Sequence, residues 1–477
     1  MNDSYTEEGY LEMIEELLES FPSFQKVGKD AYNPGLGNME FFDQLAGHPH
    51  RLYKTIHVAG TNGKGSVCNM LCSLLSTSGL KVGLYTSPHI NDFRERIRIV
   101  GGREEMEYRL IGKKDVWNFV TTWKSTFSHI GMSFFEITTA MAFDWFAKEK
   151  VDVAVIETGL GGRLDSTNII TPELSIITNI GLDHCDILGN SLAEIAFEKA
   201  GIIKPCVPVV IGEGSAETDE VFERKVLYTN LPEPAYMGDR KKIMSLLHFA
   251  DRTSPVLWDL REEILGQMDE RGSYQRPNLR TVLCAAEVIA ASESPVAASL
   301  SSLLENPAKA ISAIAHTASL TGFRGRWEKL SDSPCVIADI GHNAHGLKYN
   351  FSQLETMRRE GQYTHLLMVY GMVADKDVKA VFSLMPHGAE WFFTNATGKR
   401  ALPASELESE YIRYCSTSSQ KAGDTHSSNS VREAVLKALS RADQIVGEIP
   451  SALPLIYVGG STYVVAEAIA VLEKIHS

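Results

Sequence analysis

The sequence predicts an α/β protein built on parallel sheets, and three stretches of its 477 residues carry that prediction. In TIHVAGTNGKGSVCNMLCSLL (residues 55–75) an apolar run with strand character stops at Gly60. After Ser66 the residues Val67, Met70, Leu71, Leu74 and Leu75 take the spacing of one helical face. In VDVAVIETGLGGRLDSTNII (residues 151–170) a continuous apolar strand delivers Glu157 at its C-terminal end and opens into a glycine-rich loop. From Cys335 onward, apolar strands (CVIAD, HLLMVYGM, WFFTNAT, LPLIYVGG) alternate with helical segments, the rhythm of a parallel sheet with helices on both faces.

The first stretch outlines a nucleotide site. A glycine-rich turn between strand and helix leaves backbone N–H groups uncrowded at the positive end of a helix dipole, where a polyphosphate can sit. Lys64 would neutralise phosphate charge, and the Ser66 hydroxyl would stand close to a phosphate-bound Mg²⁺. The loop departs from the common P-loop pattern: Val58 occupies the place of the first glycine, and Gly65 separates Lys64 from Ser66. The plainer reading is a tight βα turn, but Thr61, Asn62, the glycines, Lys64 and Ser66 together exceed what a turn requires.

Length allows about two or three domains with full cores. Hydrophobic residues at 44 % and charged residues at 22 % are ordinary for a soluble globular protein. The formal charge of −14 argues against a general binder of nucleic acid or of anionic membrane, so anionic ligands must be captured by local groups. Seven scattered cysteines without a CxxC pair read as reduced thiols in a cytoplasmic protein, Cys68 and Cys72 being small core residues. The N-terminus, MNDSYTEEGYLEMIEELLES, is acidic and amphipathic, and neither a signal peptide nor a transmembrane span is visible.

In chain order, residues 7–21 read as a helix with Leu11, Ile14, Leu17 and Leu18 on one face. The loop with Asn33, Pro34, Gly35 and Gly37 reads either as punctuation or as a substrate lip, and a second helix follows over residues 39–45. LKVGLYTSPHI gives a short buried strand ending at Ser87, which is either a metal or phosphate contact or a turn serine. Residues 93–100 alternate Arg94, Arg96 and Arg98 with apolar residues, the pattern of a half-buried strand with a basic face. A helix over residues 133–146 has one early acid, Glu136, suited to its N-terminal dipole.

Glu157, at the end of its strand, is what a Mg²⁺-ATP site requires, although a solvated strand-end glutamate would look alike. LSIITNIGLDHCDILG (residues 174–189) gives another buried strand and then Asp183, His184 and Asp186, where His184 reads as a loop residue or as a ligand. Ser191 and Glu194 form a capping box, and Lys199 falls in the last turn of that helix, normally a surface position favoured by the dipole. Residues 212–271 show no strong period and read as irregular strands and connections; residues 274–291 form a helix with Pro277 in its first turn. Ala, Ser and Pro dominate residues 291–315, an approach to a domain boundary, so the division is residues 1–316 and 317–477. A Ser-rich loop is expected over residues 415–430.

Taken together, GTNGKGS at Gly60, TSPH at Thr86, SFFE at Ser133, ETGLGGRLDSTN at Glu157, LDH at Leu182, EKAGIIK at Glu198, GRWE at Gly325, DIGHN at Asp339 and GMVADKD at Gly371 resemble the folylpolyglutamate synthase and dihydrofolate synthase family of the Mur ligase superfamily. The resemblance runs from about Tyr32 to the last helix in the family's order. It implies a P-loop Mur-ligase-like ATPase domain followed by a Rossmann-like domain, and a monomeric ligase using ATP and Mg²⁺. In that chemistry a pteroate or folate carboxylate is phosphorylated by ATP, and L-glutamate's amine attacks the acyl phosphate.

Residue by residue, the resemblance makes Thr61, Asn62, Gly63, Lys64, Gly65 and Ser66 the phosphate loop, and Ser87, Glu157 and His184 the Mg²⁺ ligands. Lys199 matches a lysine that is carbamylated in the family, which reverses its surface reading. Asn278, Arg326 and Asp339 match ATP contacts with His342 beside them; Tyr32, Asn33, Pro34, Ser133, Phe135 and Asp165 match pteroate-binding positions. Three positions depart from the family: Ala344 replaces a proline, NPGLGN replaces GLER, which weakens the transfer at Tyr32 to Pro34, and Cys185 replaces a threonine. Two rivals are a Mur-type ligase on a UDP-linked cell-wall precursor and a P-loop nucleotide switch. About fifty residues before the loop leave no room for a UDP-binding domain, and a switch leaves the second α/β domain unexplained.

Overall fold

The computed structural model of the chain describes residues 5–21, 34–102, 108–230, 240–374, 376, 378–398, 400–418 and 423–476. Its contacts divide it into two compact units: residues 1–269 with 275–322, and residues 270–274 with 323–477. Three helices within residues 297–321 belong to the first unit, so the break follows Gly322. Alanine and serine there reflect close packing on the phosphate-loop helix Lys64–Thr77, not a linker.

The first unit carries an eight-stranded sheet of β1 (Lys54–Ala59), β2 (Val82–Tyr85), β3 (Ile97–Val100), β4 (Tyr108–Leu110), β5 (Val153–Glu157), β6 (Leu174–Ile177), β7 (Val209–Ile211) and β8 (Leu247–Phe249). Their order is β4-β3-β2-β5-β1-β6-β7-β8, parallel except at the β3 and β4 edge. β1 lies between β5 and β6, with Val58 opposite both Glu157 and Ile176. Strands β1, β2, β5 and β6 are apolar almost throughout because both faces are covered, one by the helix Lys64–Thr77 and its neighbours, the other by the helix Phe134–Lys148. The ends of β1, β2, β5 and β6 therefore meet at one edge, where an open parallel sheet presents its ligands.

The second unit has β9 (Glu328–Asp332), β10 (Cys335–Ala338), β11 (His365–Tyr370), β12 (Glu390–Thr394), β13 (Thr425–Ser428) and β14 (Pro454–Gly459), ordered β13-β12-β11-β14-β10-β9. All neighbours are parallel except β9 against β10. The helix Ala344–Arg359, capped by Asn343, follows β10 directly.

Several expectations are corrected. The first helix, Glu7–Ser20, buries Tyr10, Met13 and Leu17, whereas Leu11 is 54 % exposed: larger side chains chose the face. Residues 93–96 form a 3₁₀ turn, and the arginines after Arg94 make no solvent-facing basic strip. Arg96 is buried over the Phe134 ring, and Arg98 is buried, donating to the Thr321 carbonyl at 2.6 Å and to Thr86 Oγ1 at 2.8 Å. Residues 212–271 contain the helix Ala216–Asn230, whose buried Thr218, Phe222 and Val226 keep a four-residue spacing hidden among charges. In the Ser-rich segment, residues 415–418 end the helix Ala404–Ser418 and residues 425–428 form strand β13.

Candidate active site

The phosphate loop follows β1 and is braced from β6. Thr61 N–H donates to the Asn179 carbonyl, Asn62 N–H to Asn179 Oδ1 at 2.9 Å, and Thr178 Oγ1 to the Asn62 carbonyl at 2.6 Å. Gly63 has φ +80° before the helix Lys64–Thr77, and a Cβ there would stand 2.2 Å from Asn278 Oδ1. Only glycine tolerates both the conformation and that approach. Asn278 is thus seated against the loop, while its Nδ2 donates to Gln275 Oε1 at 2.9 Å.

Two lysines converge on one carbonyl. Lys64 Nζ donates to the Gly60 carbonyl at 3.1 Å and Lys199 Nζ donates to the same oxygen at 2.8 Å. Lys199 is 4 % exposed, so the surface reading is wrong for it. Burial, with the Lys64 ammonium adding to it, pushes the Lys199 amine down to about 7. Near neutral pH a good share of this amine is the free base.

Glu157, at the end of β5, is buried, and its Oε2 accepts the Ser87 N–H at 3.0 Å, joining the ends of β5 and β2. Ser66 Oγ is buried without a hydrogen-bond partner, a state that a phosphate-bound cation would relieve. Among the described residues no three His, Cys, Asp or Glu side chains gather as a metal cluster. This donor set fits Mg²⁺, which takes one or two protein oxygens and completes its shell with phosphates and water. His184 stands on the turn after β6 with φ 52°, its Nε2 3.9 Å from Asp183 Oδ1.

Of the pteroate-binding positions, Tyr32 and Asn33 lie outside the described residues, and Pro34 is exposed. Ser133 caps the helix Phe134–Lys148 in a capping box with Glu136, a firmer role for that acid than a dipole contact. The Phe135 ring packs 5.9 Å from Tyr85, and a Cβ at Gly159 would meet it at 2.5 Å, so the glycine lets the ring lie on the backbone of the loop after β5. Asp165 is buried: its Oδ2 accepts the Gly159 and Leu160 N–H groups at 2.8 and 2.9 Å. Its Oδ1 accepts the N–H and the hydroxyl of Thr167, and burial raises its carboxyl above the usual range.

In the second unit Asp339 follows β10 and is 2 % exposed. Oδ2 accepts the Tyr274 hydroxyl and the Trp327 N–H; Oδ1 accepts the Gly341 N–H and Asn350 Nδ2 at 2.8 and 2.6 Å. One carboxylate thus fixes the backbone beside Arg326 and beside His342. Arg326 lies over the Phe323 ring at 5.1 Å, and His342 Nδ1 is 3.1 Å from the Ile340 carbonyl. Sequence reasoning missed Thr178 and Asn179, although a polar TNIG directly after an apolar strand was a signal for a brace. A cavity of about 630 Å³ lined by His50, Arg51, Lys54, Asp152 and Glu173 lies at the other end of the strands and contains none of the site residues.

The Mur ligase middle domain family matches residues 58–220, and the Mur ligase glutamate ligase domain family matches residues 325–447. The dihydrofolate synthase/folylpolyglutamate synthase of Bacillus subtilis is 32 % identical over 80 % of this chain and 87 % of its own length. The Haemophilus influenzae protein of the same name is 32 % identical over 89 % and 90 %. A Mycobacterium tuberculosis folylpolyglutamate synthase solved with ADP and AMPPCP superimposes with a TM-score of 0.74 at 25 % identity, covering 98 % of this chain and 99 % of that one.

Proposed function

Because this chain belongs to the dihydrofolate synthase/folylpolyglutamate synthase family, we propose that it is an ATP-dependent ligase joining L-glutamate to dihydropteroate, to the γ-carboxylate of reduced folates, or to both. The observation that carries the reading is the pair of lysines on the Gly60 carbonyl: the Lys64 ammonium, which also donates to the Thr61 carbonyl, meets the buried Lys199 amine at a helix N-terminus, a place that a polyphosphate completes.

The substrate carboxylate attacks the γ-phosphorus of ATP, and ADP leaves. The amine of glutamate then adds to the acyl carbon, loses its proton and expels phosphate, leaving an amide. No protein nucleophile is needed, because phosphoryl transfer rests on positioning and charge neutralisation. The N–H groups of residues 61–66 and the Lys64 ammonium orient the phosphates. Ser66, Ser87, Glu157 and His184 are the residues that would hold Mg²⁺, which when bound would neutralise phosphate charge. Asn278, Arg326, Asp339 and His342 serve the nucleotide, Asp339 by holding the backbone at Arg326 and His342. Tyr32, Asn33, Pro34 and Phe135 serve the pterin, and Ser133 and Asp165 shape its site through the helix cap and the loop they hold. Lys199, a partly neutral amine, would add through Nζ to CO₂ and release a proton, giving a carbamate anion able to support the metal. Scattered free cysteines favour a cytoplasmic setting, and a monomer is the expected state.

The test is product analysis with ATP, Mg²⁺ and L-glutamate, offering dihydropteroate in one series and tetrahydrofolate in the other. Gain of a glutamyl unit in either series supports the ligase, gain in both makes it bifunctional, and ATP hydrolysis without a glutamylated product would favour a nucleotide switch instead. For Lys199, the alanine variant should lose activity and recover part of it with added short carboxylates; full activity without them would rule the carbamate out.

A further inference from the structure

We infer that His57 is a positioning residue for the pterin side of the site, acting through the Thr167 hydroxyl on Asp165. The inference rests on the assignment of Phe135 to the pterin made above. His57 lies in β1, three residues before Gly60, and is fully buried. Its Nε2 is 2.8 Å from Thr167 Oγ1. The Thr167 hydroxyl donates its single proton to Asp165 Oδ1, an oxygen that already accepts the Thr167 N–H. Thr167 Oγ1 is therefore the acceptor from His57, which fixes the Nε2–H tautomer and leaves Nδ1 bare; that atom is buried without a partner. Burial pushes the imidazole down to about 3, so it carries one proton, as the arrangement requires.

The relay ends on the pterin wall. Asp165 Oδ2 gathers the Gly159 and Leu160 N–H groups, and Gly159 is the surface on which the Phe135 ring lies. A donor in the strand that feeds the phosphate loop thus sets, through two side chains, where the aromatic wall stands. A pterin held against that wall is registered to the same strand that registers ATP, and a shift of about 1 Å would misalign carboxylate and γ-phosphate.

The experiment compares Phe135→Ala, Thr167→Val, Thr167→Ser, His57→Gln and His57→Asn by steady-state kinetics, with melting temperature as a folding control. Thr167→Val removes the hydroxyl at constant volume and should raise KM for the pterin substrate roughly tenfold, leaving KM for ATP within about twofold, while Thr167→Ser restores the wild-type value. His57→Gln places an amide donor near the position of Nε2 and should keep the low KM; His57→Asn falls short and should not. The His57 pair keeps the test open if Thr167→Val fails to fold. A raised pterin KM in Phe135→Ala with an unchanged one in both Thr167→Val and His57→Asn overturns the relay alone. Equal rises in KM for pterin and ATP overturn it as well, since that is the mark of general structural damage. An unchanged pterin KM in Phe135→Ala removes the Phe135 assignment, and the relay's purpose with it.

Discussion

The phosphate loop of the first unit and the surroundings of Asp339 in the second are both polar and at strand ends, yet they are finished to different degrees. Around Asp339 both carboxylate oxygens are taken by donors from four parts of the chain: Tyr274, Trp327, Gly341 and Asn350. At the loop, two lysines share the Gly60 carbonyl and Ser66 Oγ has no partner. Burying polar groups without partners is costly, so a folded protein tolerates it chiefly where a ligand supplies the partner. The difference separates a carboxylate that organises its unit from a loop prepared for charge it does not contain.

That contrast can be broken by substitution. Lys64→Ala should lower turnover by about 10² to 10³ while leaving the melting temperature close to wild type; a large loss of stability would mean that the loop is as self-satisfied as Asp339. Asp339→Ala should behave in the opposite sense. It strands four donors, of which the Trp327 N–H and the Asn350 amide are buried, and urea unfolding should show a loss of about 3 kcal/mol or more. Lys199 sharpens the comparison through pH. Its folded value of about 7 lies below that of the unfolded chain, which therefore binds the extra proton from about pH 7 up to the ordinary lysine range. Stability should rise with pH across that window as the cost of a buried ammonium is relieved, and Lys199→Met should flatten the rise. The smallest effect belongs to Ser66→Ala: within about 0.5 kcal/mol of wild-type stability without ligand, since no bond is lost, but a higher Mg²⁺ requirement in the assay.

The parts of this site that sequence made legible are those fixed by neighbouring residues. A strand, a glycine turn and a helix follow one another without a break from Lys54 to Thr77, and Glu157 ends an apolar run, so local pattern located both. Lys199 illustrates the limit: its place in the last turn of a helix favoured the surface, and only the resemblance, followed by the 2.8 Å bond to Gly60, turned it inward. Arg96 and Arg98 escape the sequence pattern for the same reason, because alternation signals two faces but not what covers them; the Thr321 carbonyl, far along the chain, accepts from Arg98. The helix Ala216–Asn230 was hidden because its core face is one residue per turn, too sparse to stand out among charges.

The measurement that tests the central claim most directly is oxygen transfer during turnover. With whichever acceptor the product assay shows to gain glutamate, dihydropteroate or tetrahydrofolate, labelled with ¹⁸O in its reacting carboxylate, and with ATP, Mg²⁺ and L-glutamate, the acyl-phosphate route delivers one labelled oxygen to each phosphate released, and release depends on glutamate. Phosphate carrying no label and appearing at the same rate without glutamate would mean that water attacks ATP, and would contradict the assignment of this chain as a glutamate ligase.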